Sequence, residues 1–331
     1  VVKSTVSTIT QSFSSGSTIF GDSNDDTHRF TGSLDISGSI GIKSDSRNNL
    51  FIGQNAGTGS GIGQYNTAIG INALTSPRGA ESIVAIGRDA GKNITKSSQS
   101  GVYSVLVGQG ANYNNTGGSN NIAIGYYAGG HSSAAQFNST MIGYGAADAG
   151  AGPTNSTVIG FNVFGNVSGG HPQNVTALGN YAMYGSSGTT TGINGSVAIG
   201  HQSLYSITSG LNIAIGYESG YSTTSGTQNT LIGYQAGYNN ITGGYSTLIG
   251  YQAGLNNKVD FNTAIGWAAM AKIGNSAGGG NGEQNVAIGA GAMSGGDDTV
   301  ANNTGKKNIA IGNSTLGGAT RSTDGDAFTA H

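Results

Sequence analysis

Asn229-Thr230-Leu231-Ile232-Gly233-Tyr234-Gln235-Ala236-Gly237 reads as a short apolar run entered through an amide side chain and left through glycine. The phrase returns fifteen times, anchored at Gly53, Gly70, Gly87, Gly108, Gly125, Gly143, Gly160, Gly179, Gly200, Gly216, Gly233, Gly250, Gly266, Gly289 and Gly312. The gaps run from 16 to 23 residues and cluster at 17. A fixed phrase with elastic spacers marks a solenoid whose coils hold one register while loops vary.

Each position has a physical preference. The residue before the glycine is Ile except at Val107 and Leu178, and the one three before it is β-branched except at Leu50. Between them stands Ala or something larger, as in Phe51, Leu106, Met141 and Leu231. Three consecutive apolar positions rich in β-branched residues make a strand. Asn or Ser at the entrance suits a turn, and glycine at the exit permits a bend. The small residue three beyond the glycine predicts a short second strand around it. Successive side chains point to opposite faces, so a strand apolar throughout is buried on both. The expected interior is the isoleucine stack, Ile69, Ile86, Ile124, Ile199, Ile232, Ile249, Ile288 and Ile311. The Ala/Leu face must then find another partner, and a second and third copy of the chain supply it. The reading is an all-β parallel solenoid of about fifteen coils in a homotrimer.

The phrases Asn121-Ile122-Ala123-Ile124-Gly125, Ser196-Val197-Ala198-Ile199-Gly200 and Asn285-Val286-Ala287-Ile288-Gly289 resemble the head repeats of trimeric autotransporter adhesins. The resemblance spans roughly Asn49 to Leu316 and implies a left-handed parallel β-roll of three intertwined subunits. It departs in spacing, the adhesin repeat being shorter and more regular.

Composition agrees with a repeat rod. Glycine supplies 61 of 331 residues without collagen's period of three. Charged residues are 8%, against roughly a quarter in ordinary globular chains. A net charge of −2 gives no nucleic-acid footprint or basic membrane-binding surface. There is no cysteine, hence no disulfide or thiolate metal site. No apolar run of membrane-spanning length occurs. The chain starts at Val1 without a signal-like segment.

Residues 1–48 form a distinct β-rich linker or shaft segment, 49–316 the repeat domain, and 317–331 a cap or tail. Apolar residues of one parity, Phe30, Leu34, Ile36, Ile40 and Ile42, suit half-buried β-structure. Gly16-Ser17-Thr18-Ile19-Phe20-Gly21-Asp22 and Phe30-Thr31-Gly32-Ser33-Leu34-Asp35-Ile36-Ser37-Gly38 resemble segments of structural proteins of marine bacteriophages, often upstream of tail-fibre modules. Longer spacers, such as 271–284 and 294–307, are expected to project as loops, a common place for recognition.

The residue after the glycine is aromatic at Tyr126, Tyr144, Phe161, Tyr217, Tyr234, Tyr251 and Trp267. Stacked in successive coils, these would form a ladder. It is either a sugar- or receptor-binding strip or a structural stack, and the structural stack is favoured. The inventory argues against catalysis: carboxylates are scattered, the five histidines are isolated, and Asp22-Ser23-Asn24-Asp25-Asp26 lacks the glycine and distal Glu of a calcium loop. No cofactor or metal is expected. The expected function is a structural, adhesive fibre of a phage virion, displaying loops for host attachment. Its partners would be itself, other virion tail proteins and a host glycan or protein receptor, with no nucleic acid and no membrane insertion. Alternatives are a bacterial trimeric adhesin head binding extracellular matrix or host cells, an ice-binding solenoid and a polysaccharide depolymerase.

Overall fold

The computed structural model describes residues 47–59, 61–75, 79–95, 103–131, 135–148, 150, 152–167, 171–185, 192–273, 282–295, 305–317 and 328–330. The chain divides into two units, Val1–Ile42 and Lys43–His331, and the second carries the solenoid. The phage-like segments, the Asp22–Asp26 run and most of the spacers 271–284 and 294–307 lie outside the described residues.

Among the described residues sixteen three-residue strands pair in chain order into one parallel sheet. They are β1 Leu50–Ile52, β2 Thr67–Ile69, β3 Val84–Ile86, β4 Val105–Val107, β5 Ile122–Ile124, β6 Thr140–Ile142, β7 Thr157–Ile159, β8 Thr176–Leu178, β9 Val197–Ile199, β10 Ile213–Ile215, β11 Thr230–Ile232, β12 Thr247–Ile249, β13 Thr263–Ile265, β14 Val286–Ile288, β15 Ile309–Ile311 and β16 Phe328–Ala330. Like pairs with like: Thr230, Leu231 and Ile232 oppose Thr247, Leu248 and Ile249. The fold is an all-β parallel solenoid. Among the described residues no helix is long and apolar enough to cross a membrane.

Which face is inside reverses the expectation. The central residue of each triplet points inward: Ala68, Leu106, Met141, Val158, Leu231 and Leu248 are fully buried. The isoleucines expected there face outward. Ile86, Ile124, Ile199, Ile288 and Ile311 are 36–49% exposed, and Ile69, Ile232 and Ile249 are half-buried. The cause is room. A coil this thin accepts one strand side chain per rung, because residues three and four beyond the glycine also point in, as Ala182 and Met183 do. Their sizes are reciprocal. Ala68 goes with Leu74 and Ala198 with Leu204, whereas Leu231 goes with Gly237 and Leu248 with Gly254. A Cβ on Gly254 would sit 2.6 Å from Leu248 Cδ1.

The second strand around the small residue is also corrected. That stretch is turns, and residues two and four after the glycine hold φ > 0: Gln202 (53°), Leu204 (49°), Ala268 (49°) and Met270 (54°). Left-handed backbone cannot continue a strand. Isolated parallel bridges instead form before the main strands, as at Phe137↔Thr154 and Thr154↔Gln173.

The anchor glycine has a stricter reason than the bend. Its φ is 124–138° throughout, and a Cβ on Gly53 would meet Gly70 O at 2.6 Å. Backbone stacks on backbone here, so no side chain fits.

The entrance residue forms a buried polar ladder along the axis. Backbone N–H of Asn229 donates to Asn212 Oδ1 (3.0 Å), and Ser246 N–H donates to Asn229 Oδ1 (3.0 Å). Asn229 Nδ2 donates to Gly243 O (2.8 Å) in the next coil. Asn262 N–H, Asn285 N–H and Asn308 N–H continue the chain of bonds onto Ser246 Oγ, Asn262 Oδ1 and Asn285 Oδ1. Except where Ile83 and Val175 hold this position, a coil lends its neighbour a side-chain oxygen where the strand has not yet begun, and buried backbone is thereby satisfied.

Candidate functional site

The alternation that buries the central residue turns its neighbours outward along the whole sheet. One column runs through Val84, Val105, Ile122, Ile213 and Ile309, 36–40% exposed, with threonine at other rungs. The parallel column is the isoleucine series. Farther from the glycine, Tyr65, Tyr103, Leu211, Tyr245 and Phe261 are 49–61% exposed, set among polar residues such as Asn120, Asn138, Gln228 and Lys307 at the same offset in other rungs. Past the corner glycine stands the aromatic column. The result is a long apolar surface on one side of the solenoid, with scarcely any charge on it.

All seven aromatic candidates are exposed: Tyr126, Tyr144, Phe161, Tyr217, Tyr234 and Tyr251 at 41–51%, and Trp267 at 60%. The structure assembles them in two runs. Tyr126, Tyr144 and Phe161 stack at 4.8 and 5.2 Å between centroids. His201, Tyr217, Tyr234, Tyr251 and Trp267 stack at 5.1, 5.2, 5.0 and 6.3 Å, within 6–19° of parallel. This is offset stacking at ordinary distances, and it decides what the ladder can do. A sugar packs on a ring's face, and within each run the faces are occupied by neighbouring rings. A continuous strip of sugar platforms is therefore ruled out; the runs offer edges, except at their ends.

A second ladder lies five residues after the glycine. Tyr184, Tyr205, Tyr221 and Tyr238 stack at 5.1, 5.0 and 5.0 Å, half-buried. Burial raises the phenol pKa of Tyr205 and Tyr238 above the usual value. Tyrosine recurs at that offset in the sequence, at Tyr113, Tyr184, Tyr205, Tyr221 and Tyr238, and this periodicity is the signal that locates the second ladder. Tyr217 also titrates high, because it is hydrogen-bonded to the Glu218 carboxylate.

Three of the described carboxylates, Asp89, Asp148 and Glu218, bond side chains of the neighbouring coil. Asp89 Oδ1 accepts from Asn72 (3.1 Å) and pairs with Lys92 (3.2 Å). Glu218 Oε2 accepts from Gln235 (2.7 Å), which in turn accepts from Gln252 (2.9 Å). Asp148 Oδ1 meets His131 Nδ1 at 2.7 Å and accepts from its backbone N–H, while His131 stacks on Tyr127 at 4.5 Å. Burial raises the Asp148 pKa, opposed by the His131 bonds. Among the described residues no group of three or more His, Asp or Glu could hold a metal ion. No family model, curated protein or solved structure matches the chain.

Proposed function

We propose that the chain is a self-associating structural rod, a homotrimer joined along the outward face of its sheet, forming part of an attachment fibre. The observation that carries this is the exposed isoleucine and Thr/Val/Ile columns. From β1 to β15, rungs about 4.8 Å apart by a strip about 10 Å wide give on the order of 700 Å². Monomers rarely expose more than a few hundred Å² of contiguous apolar surface. The strip is close to the roughly 800 Å² per partner of a standard interface. The interior is already filled, so association adds a seam and does not complete a core. A trimer is favoured over a dimer by the resemblance to adhesin heads, and a virion appendage by the phage-like segments. Such a rod displays host-binding loops on a stiff scaffold and multiplies weak contacts by valence. The test is Ile199→Lys with Ile232→Lys. Both side chains leave the interior untouched, so the variant should keep its β-sheet circular dichroism and lose its oligomeric mass. Retained oligomer would refute the seam.

A second reading has its own observation. Thr140, Thr157 and Thr176 stand on neighbouring strands, as do Thr230, Thr247 and Thr263. Outward hydroxyl ranks at rung spacing suit an ice-binding face. That reading requires a monomer that shapes ice crystals; an oligomer with no effect on freezing excludes it.

A further inference from the structure

The aromatic column breaks at a notch whose two sides differ chemically. After Tyr217, Tyr234 and Tyr251, the position following the glycine is Trp267, then Ala290, then Asn313. Trp267 has one face against Tyr251. On its other side the next rung carries only the methyl of Ala290, and the rung beyond carries the amide of Asn313; all three residues are exposed. The other run ends differently, for Phe161 is met edge-on by Tyr181 at 5.4 Å. Trp267 is also the most exposed ring of the column.

We propose that Trp267, Ala290 and Asn313 form a subsite for one neutral pyranose ring of a glycan. Two rungs separate the indole from the Asn313 amide by about 9.6 Å. A ring seated about 3.5–4 Å from the indole plane leaves roughly 6 Å to the amide; an axial hydroxyl or hydroxymethyl group spans about 2–2.5 Å of it, and rotation of the exposed Asn313 side chain closes the rest to hydrogen-bond distance. The indole face suits the apolar C–H face of a sugar and the methyl gives a shelf that does not obstruct; the amide offers its N–H donors, and its oxygen, which accepts from Ser314 Oγ (2.9 Å), keeps a second lone pair. The column carries no charge at these three rungs, which fits a neutral sugar and disfavours a phosphate or a carboxylate. The ligand ring takes the place in the stack that tyrosine holds three rungs in succession. This goes beyond the seam and does not depend on it, since the notch lies past the corner glycine.

Trp267 is the chain's sole tryptophan, so intrinsic fluorescence reports on the site. The assembled protein is titrated with methyl β-glucopyranoside, methyl β-galactopyranoside, methyl α-mannopyranoside and N-acetylglucosamine. Saturable change with at least one, at a Kd on the order of 1 mM, is expected. Ala290→Tyr fills the notch with a side chain this column already accepts at Tyr217, Tyr234 and Tyr251. It should raise that Kd tenfold or more without changing the native mass, and Asn313→Ala should weaken binding severalfold. No saturable change with any of the four sugars overturns the proposal, as does binding that survives Ala290→Tyr. Tryptophan emission shielded from acrylamide in the assembled protein also overturns it, by placing the indole inside the seam. Native mass tests the seam separately.

Discussion

Asn229→Ala strips the buried polar ladder of one rung. The wild-type side chain accepts from Ser246 N–H (3.0 Å) and donates to Gly243 O (2.8 Å) and Asn212 Oδ1 (3.1 Å). Asn229 is 1% exposed and Ser246 is 1% exposed, so water cannot replace the lost partners. Each buried polar group left unpaired costs about 1–3 kcal/mol. With a backbone donor and a backbone acceptor both orphaned, the expected loss is about 3 kcal/mol. Asn229→Ser should cost about half of that, since serine already serves in this column, where Ser246 Oγ accepts from Asn262 N–H at 3.2 Å. In a solenoid each coil touches only its neighbours, so the damage is local and a single global midpoint would blur it. Hydrogen exchange is the suitable assay. Amides of β11 and β12 should lose about 100-fold in protection, at 1.4 kcal/mol per decade, while β2 and β3 stay unchanged. Protection of β11 and β12 within twofold of wild type would refute the polar ladder as a stabilising element.

The size reciprocity predicts a compensating pair: Leu231→Ala alone should cost about 2–5 kcal/mol through a cavity. Gly237→Leu alone should overpack, and the double variant should recover most of the loss in urea melts, since it recreates the Ala198/Leu204 arrangement. Gly70→Ala should cost at least about 3 kcal/mol, because φ is 134° and the new Cβ would lie 2.6 Å from Gly87 O; a change in urea midpoint no larger than a surface substitution gives would contradict the stacked backbone. Asp148 titrates above its ordinary value of 3.8 mainly through burial, so the folded state favours its protonated form. Its contribution is fully present below the unfolded value and falls as pH rises through the folded one. Asp148→Asn should therefore flatten stability against pH in that window, as followed by chemical denaturation at a series of pH values.

The rung was legible in the sequence and its orientation was not. Fifteen glycines preceded by an apolar triplet placed the strands, and Thr230–Ile232 or Val286–Ile288 could be bounded from the phrase alone. Alternation also put Thr230 and Ile232 on one face and Leu231 on the other, but alternation is symmetric and does not say which face is inside. The assumption that the bulkier, more uniform isoleucine column is the core fails because a thin coil shares its interior with residues beyond the corner. One sequence signal decides it: the reciprocal sizes of Leu231/Gly237 and Ala198/Leu204 show which residues compete for one space. The turns were misjudged for a related reason: left-handed backbone at Gln202 and Leu204 has no mark in residue type as clear as glycine. The aromatic column was located, but exposure and ring orientation are separate matters. Only coordinates show that Tyr217, Tyr234 and Tyr251 spend their faces on one another.

The seam is tested most directly by the native mass of the wild-type chain, measured by light scattering across a dilution series. The account predicts a mass near three times 32.9 kDa that persists on dilution. A stable monomer of 32.9 kDa, soluble with its isoleucine columns in water, would contradict it and return that face to the ice-binding reading.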